Sequence, residues 1–282
     1  MQSPTTPAPV SVHVNGVELH YVEQGSGTPV VLVHGSLADY TYWEWSEQIP
    51  LLAERHRVIA YSRRYNHPNR NPRGTDHSPM VEAADLAAFV DRLGVGPVHL
   101  VGHSYGAYTA LVYALDHPER VRSLVLAEPP IISWLPDIPG GDGIFEGFMA
   151  EVWGPLGQAF TEGGTSAGLD FTARWYFQVP WAEVQPDWQT LFSRNVDEWH
   201  ALAISAHTFP KLPYDRVRAL TVPTLLLSGG KNALGFNDLV DGHLERLLPN
   251  AERVIIPDAS HEMFLDDRAA SAGAMLGFFG RH

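Results

Sequence analysis

The chain has no cysteine. Disulfides, thiolate nucleophiles and cysteine-based metal sites are therefore excluded. Basic residues are also scarce. Only 19 Lys and Arg stand against 32 Asp and Glu, a formal net charge of -13. Nucleic acid and anionic membrane surfaces are bound through basic patches, so neither is an expected partner. No apolar run is long enough to span a bilayer. The opening MQSPTTPAPV has neither a basic start nor an apolar h-region, so it does not read as a signal peptide. Its Pro, Ser and Thr content suggests a flexible leader over residues 1–9. The expectation is a soluble cytoplasmic protein, with its oligomeric state open. No metal constellation stands out, and no Gly-rich phosphate loop follows the first apolar strand, so no metal and no cofactor is expected.

What is present is a large core and a regular alternation. Hydrophobic residues make up 45% of the 282, enough for a full core. Residues 10–25 alternate around Asn15-Gly16, the pair favoured by two-residue hairpins. PVVLVHG (29–35) reads as a strand buried on both faces. A helix from Trp43 to Glu54, the strand RVIAYS (57–62) and a helix from Met80 to Leu93 follow. RSLVLAE (122–128) is another buried strand, stopped by Pro129-Pro130. Residues 131–212 then break the alternation with aromatics, glycines and prolines, as an inserted lid of short helices would. The pattern resumes with TLLLSGG (224–230), a helix from Phe236 to Leu248, ERVIIPD (252–258) and a helix from Asp266 to Phe279. This order predicts an α/β fold, a mostly parallel sheet flanked by helices. Its core would be residues 10–130 and 213–282, with residues 131–212 as a helical cap.

The motif that carries chemistry is Gly102-His103-Ser104-Tyr105-Gly106, between the apolar strand VHLV and a small-residue helix. This is G-x-S-x-G in the strand–turn–helix setting of a nucleophile elbow. The turn is too tight for side chains two residues either side of the serine, so both places are glycine. It lifts the Ser104 hydroxyl clear of the sheet and starts a helix behind it, whose free N–H groups face any negative charge formed there.

With VVLVHGS (30–36), GHSYG (102–106), LVLAEPP (124–130) and IIPDASHEMF (255–264), the chain resembles the α/β-hydrolase superfamily of lipases, lactonases and esterases. The resemblance implies the order nucleophile, acid, histidine and a lid after the sixth strand. Ser104, Glu128 and His261 occur in that order. His261 would be the base that takes the Ser104 proton, since imidazole titrates near neutrality. Many relatives place the acid just after the strand matched by TLLLSGG, where this chain has the uncharged Asn232. Two carboxylates could stand in. Glu128, ending the preceding strand, is similar to the acid of zearalenone-type lactonases and is preferred; Asp238 is the alternative.

The oxyanion donors implied are the backbone amides of Tyr105 and Ser36, with Leu37 second for the latter. His34 belongs to the His-Gly turn. His103 is the variable residue of the elbow, expected to point away from the nucleophile. Leu37, His103, Trp134 and Trp153 are nevertheless kept as candidate substrate-binding residues, and His200 and His207 lie near enough to the lid to line a pocket. Arg63, Arg64, Arg70 and Arg73 form a local basic cluster. It would anchor its loop through carboxylates or, alternatively, meet an anionic substrate group. The function implied is a serine hydrolase acting on an ester or lactone with an apolar or aromatic portion. C–C bond hydrolysis, amide hydrolysis and acyl transfer could use the same residues. Epoxide-hydrolase relatives carry aspartate where Ser104 stands, which disfavours that chemistry. A non-catalytic small-molecule receptor on this fold is the rival of another class.

Overall fold

Asn15 and Gly16 both take positive φ (46° and 76°), as a tight hairpin turn requires. They join strand β1 (Val10–Val14) to β2 (Val17–Gly25). The computed structural model describes residues 7–74 and 76–282. The expected leader lies outside them through residue 6, and residues 7–9 have no regular structure.

Six more strands complete the sheet: β3 (Pro29–Val33), β4 (Arg57–Tyr61), β5 (Val98–His103), β6 (Val121–Ala127), β7 (Thr224–Gly229) and β8 (Ala251–Ile256). Their order is β1-β2-β4-β3-β5-β6-β7-β8. β1, β2 and β4 pair antiparallel, and every pair from β4 through β3 to β8 is parallel. The central strands are continuous apolar runs because helices cover both faces. Val30, Val31, Leu32 and Val33 of β3 are all fully buried. Each such side chain contributes roughly 1.5–3 kcal/mol of burial.

The chain leaves β3 for β4 on one side, then returns across β3 to β5 on the other. The strand order reverses there, and a crevice opens at the C-terminal strand ends, where open α/β sheets hold their ligands. Helices α1 (Thr41–Trp45) and α2 (Gln48–Ala53) link β3 to β4. The sequence predicts one helix here. The backbone breaks it at Glu47, whose φ is 58°. Helix α3 (Pro79–Leu93) precedes β5, with Ser78 as its cap, and α4 (Tyr105–Asp116) follows it.

Between β6 and β7 the chain runs through a 3₁₀ turn (Ile132–Asp137), α5 (Asp142–Gly147), a π turn (Phe148–Trp153), α6 (Gly154–Tyr176), α7 (Pro186–Arg194), α8 (Val196–Ile204) and α9 (Tyr214–Ala219). Helix α6 is two pieces broken at Gly164, which has φ 68° and ψ -162°. Helix α10 (Asn237–Leu247) lies between β7 and β8, and α12 (Arg268–Phe279), the last helix expected from the sequence, is preceded by the short α11 (Met263–Asp266). Asp267 caps α12 by accepting from the Ala270 amide. Among the described residues no helix is long and apolar enough to cross a membrane.

Candidate functional site

Ser104 sits at the C-terminal end of β5 with φ 53° and ψ -124°. That conformation costs a non-glycine residue about 1–3 kcal/mol and persists only where its surroundings enforce it. Here the packing does so. A Cβ on Gly102 would lie 2.4 Å from Ala107 Cα, and one on Gly106 would lie 2.3 Å from the His34 carbonyl. The Ser104 amide donates to the Ala127 carbonyl at 2.8 Å, which ties the turn to β6.

Glu128 follows β6 directly, also with positive φ (48°) and fully buried. Its Oε2 lies 2.5 Å from His261 Nδ1. A carboxylate only accepts, so Nδ1 carries the ring proton and Nε2 keeps its lone pair. The Gly229 amide donates to Glu128 Oε1 at 2.7 Å, and Asn237 Nδ2 donates to Oε2. Burial pushes the His261 pKa down, but the hydrogen bond and charge of Glu128 outweigh it, leaving it above its ordinary 6.5. Asn237 also lies 3.4 Å from His261 Nδ1 and was invisible in the sequence, where it is one more polar residue at a helix start.

The other candidate acid lies elsewhere. Asp238 points outward from α10 and pairs with Arg253 at 2.7 Å, with its side chain mostly exposed. Asn232, at the more usual acid position, turns with φ 45° and its Oδ1 accepts from the Asp238 amide. His103 does not point away as expected. It lines the cavity described below, stacks on Tyr42, and donates from Nε2 to the His261 carbonyl at 2.9 Å. Burial holds its pKa down to about 4, so this contact is made by a neutral ring.

The loop after β3 is clamped from three sides. His34 Nδ1 bonds the Gly35 carbonyl at 2.8 Å, and its Nε2 accepts from the Arg63 amide at 3.0 Å. The Arg63 guanidinium donates to the Gly35 carbonyl at 3.0 Å, to Glu198 at 2.7 Å and to Glu82 at 2.5 Å. Leu37, with φ 57°, gives its amide to Glu198 Oε2 at 3.0 Å and so is not a free donor. The amides of Ser36 and Tyr105 have no protein acceptor among the described residues. Glu198 comes from α8 and was missed, because it lies 161 residues from Leu37 along the chain. His77, Glu82 and Glu198 form one cluster of metal-type ligands, but Arg63 is the cation between the two carboxylates. Burial opposes the Arg63 charge, and the two glutamates outweigh that and raise its pKa.

Removing Glu198 would leave the Leu37 amide and one Arg63 N–H without their acceptor in a buried site. Glu198→Ala is expected to destabilise the fold by about 3–5 kcal/mol, read as a lowered denaturation midpoint in urea. A midpoint like that of the parent would show that Glu198 contributes nothing to the clamp. Arg64 likewise serves its own loop, pairing with Asp85 at 2.7 Å, and Arg73 lies 3.4 Å from Asp197.

Ser104 and His261 open onto one cavity with about 790 Å³ of empty space counted out to its mouth. Its walls include Leu37, Trp153, Trp175, Trp188, Trp199 and Phe209. Ser36, Tyr105 and His103 also face it, and no Lys or Arg does among the described residues. The π turn presents Phe148 and Trp153 stacked with their ring planes 19° apart. Trp134 does not reach this cavity. It sits in the 3₁₀ turn Ile132–Asp137, is fully buried, donates to the Leu212 carbonyl and packs on Tyr214 and His243. His200 stacks on Phe160, and His207 pairs with Asp76; neither lines the cavity.

Comparison with known proteins agrees with this architecture. The chain is 29% identical over 259 residues to a non-heme haloperoxidase of Rhodococcus erythropolis, covering 88% of this chain and 91% of that one. It is 38% identical over 116 residues to a 2-hydroxy-6-oxo-2,4-heptadienoate hydrolase of Pseudomonas putida, covering 41% of this chain and 42% of that one. With bifunctional epoxide hydrolase 2 of Sus scrofa the identity is 34% over 125 residues, covering 44% of this chain but 22% of that protein. Several curated relatives are thus matched over less than half their length. The enol-lactonase from Burkholderia xenovorans LB400 superposes with a TM-score of 0.76 at 22% identity, covering 96% of this chain and all of that one. A model of the family described as alpha/beta hydrolase fold matches residues 28–268, and the chain belongs to that family.

Proposed function

We propose that this hydrolase cleaves a carboxylic ester or lactone with an apolar or aromatic portion, through an acyl-enzyme on Ser104. The observation that carries this reading is the 2.5 Å contact between Glu128 and His261 Nδ1, beside the strained Ser104 on one aromatic-walled cavity. The helices between β6 and β7 act as the cap that supplies most of that wall. His261 Nε2 takes the Ser104 proton as Oγ attacks the carbonyl, and Glu128 stays ionised opposite the imidazolium. The oxyanion rests on the amides of Tyr105 and Ser36. The C–O bond breaks, the leaving alkoxide takes the proton from His261, and the alcohol departs. Water, deprotonated by His261, then releases the acid and restores Ser104.

Among the described residues no Lys or Arg lines the cavity, which weighs against a dienoate substrate, whose carboxylate would lack a counter-charge. Serine rather than aspartate at position 104 weighs against epoxide opening through an alkyl-enzyme. The direct test is turnover of short p-nitrophenyl esters with labelling of Ser104 by a fluorophosphonate. Neither turnover nor labelling would favour a binding protein on the same fold.

The pH profile follows from the pKa direction. Only neutral His261 accepts the serine proton, and its pKa is raised above 6.5 by Glu128, with Glu262 and Asp241 adding to it. The acid limb of kcat/KM is therefore expected above pH 6.5. A profile from about pH 5 to about pH 9 that stays flat down through that point would count against the Glu128–His261 pairing.

A further inference from the structure

Glu262 follows His261 directly, and its side chain lies between two cavities. The inner one holds Ser104; the outer one is larger, about 1280 Å³ of empty space to its mouth. The two share Trp175, Tyr176, Trp188, Leu234, His261 and Glu262, so Glu262 stands where they adjoin. Tyr42 of α1 donates its hydroxyl to Glu262 Oε2 at 2.8 Å, and Tyr176 at the end of α6 donates to Oε1 at 2.5 Å. An ionised carboxylate offers about four acceptor sites, and these two bonds use one on each oxygen. Among the described residues Glu262 is the only Asp, Glu, Lys or Arg that lines the inner cavity. The charged residues of the outer cavity are already engaged: Arg268 with Glu47 at 2.7 Å, and Asp266 with the Ser260 amide and hydroxyl.

We infer that Glu262 is a substrate subsite: its unused lone pairs take a hydroxyl or N–H donor of the substrate, and its charge disfavours substrates whose acyl chain bears an anion. This rests on the ester or lactone reading above and narrows it to an uncharged, donor-bearing class. An anionic group on the substrate would meet a like charge here, with no Lys or Arg lining the inner cavity among the described residues. A donor would take up the acceptor positions that Tyr42 and Tyr176 leave open on Glu262.

Three p-nitrophenyl esters of one chain length test it: hexanoate, 3-hydroxyhexanoate and the adipate half-ester, each corrected for its spontaneous hydrolysis. The parent enzyme is expected to prefer hydroxyhexanoate over hexanoate by about 10-fold in kcat/KM, and to disfavour adipate by about 100-fold. Glu262→Gln is expected to shrink the adipate penalty by at least about 10-fold and to reduce the hydroxyl preference. Tyr176→Phe keeps the charge but removes one of its donors, and is expected to deepen the adipate penalty; it also carries the test where Glu262→Gln does not fold. Unchanged ratios in both variants overturn the subsite. So does an equal loss on all three esters, which would make Glu262 only a tie between α1, α6 and the His261 loop. Absence of turnover and of Ser104 labelling in the parent enzyme sinks the hydrolase reading itself.

Discussion

Replacing Ser104 with alanine is expected to lower kcat/KM for a p-nitrophenyl ester by roughly four to six orders of magnitude. In the proposed mechanism the loss is that large because Ser104 is the group that forms the acyl-enzyme. His261 is held through Nδ1 by Glu128 and through its carbonyl by His103, which leaves Nε2 to act as the base in that mechanism. The residual rate would come from binding and the two free amides. Folding is not expected to suffer, since alanine keeps the Cβ and the same positive φ that serine already bears. His261→Ala should lose a similar factor, and the double variant should be little worse than either single one, because the two act as a unit. Single-turnover kinetics with a fluorophosphonate label check all three. A Ser104→Ala protein with near-parent rates would mean that no acyl-serine forms.

The parts of this molecule legible in its sequence are those where a local backbone demand restricts residue type. The elbow glycines are legible because any Cβ at 102 or 106 would strike backbone atoms. The hairpin is legible because Asn15-Gly16 tolerates two successive positive φ values. The buried strands are legible because both faces are covered, so their residues are mostly apolar, and the polar His99 of β5 and Ser123 of β6 satisfy each other at 2.7 Å. Glu128 stood out for the opposite reason: an acid at the end of such a strand needs partners, and it has Gly229, Asn237 and His261.

Contacts made by docking one helix on another were not legible. Glu198 reaches Arg63 and the Leu37 amide only because α8 packs over the loop after β3, and nothing near residue 198 signals that. Trp134 looked like a wall residue by composition. Its ring instead packs on Tyr214 of α9 and His243 of α10 and donates to the Leu212 carbonyl, contacts from parts of the chain 78 or more residues away. The Arg63 and Arg64 cluster is open in the sequence between loop anchoring and a substrate contact; in the structure Arg63 pairs with Glu82 and Glu198 and Arg64 with Asp85. The helix expected from Trp43 to Glu54 failed at Glu47, whose left-handed backbone leaves no mark in its own side chain.

The choice of acid yields the second large effect, and it is a paired comparison. Glu128→Gln is expected to lower kcat by about 10³- to 10⁴-fold, and Asp238→Asn by less than about 2-fold. Glutamine has one acceptor and one donor end where glutamate has two acceptors. Both carboxylate oxygens of Glu128 already receive N–H groups: Oε1 from Gly229, Oε2 from Asn237 and His261. Whichever oxygen becomes NH₂, a donor then faces a donor in a buried site. The amide also lacks the charge that stabilises the imidazolium, so His261 loses its upward pKa shift and the acid limb of kcat/KM moves to lower pH. A residue acting only through fold stability would lower activity without moving that limb. Asp238→Asn breaks an exposed pair with Arg253, an interaction worth at most about 1 kcal/mol, and leaves the Glu128 contacts intact. The reverse outcome, a crippled Asp238→Asn beside a Glu128→Gln enzyme with parent rate and parent pH limb, would assign the acid to α10 and require its first turn to swing inward during turnover.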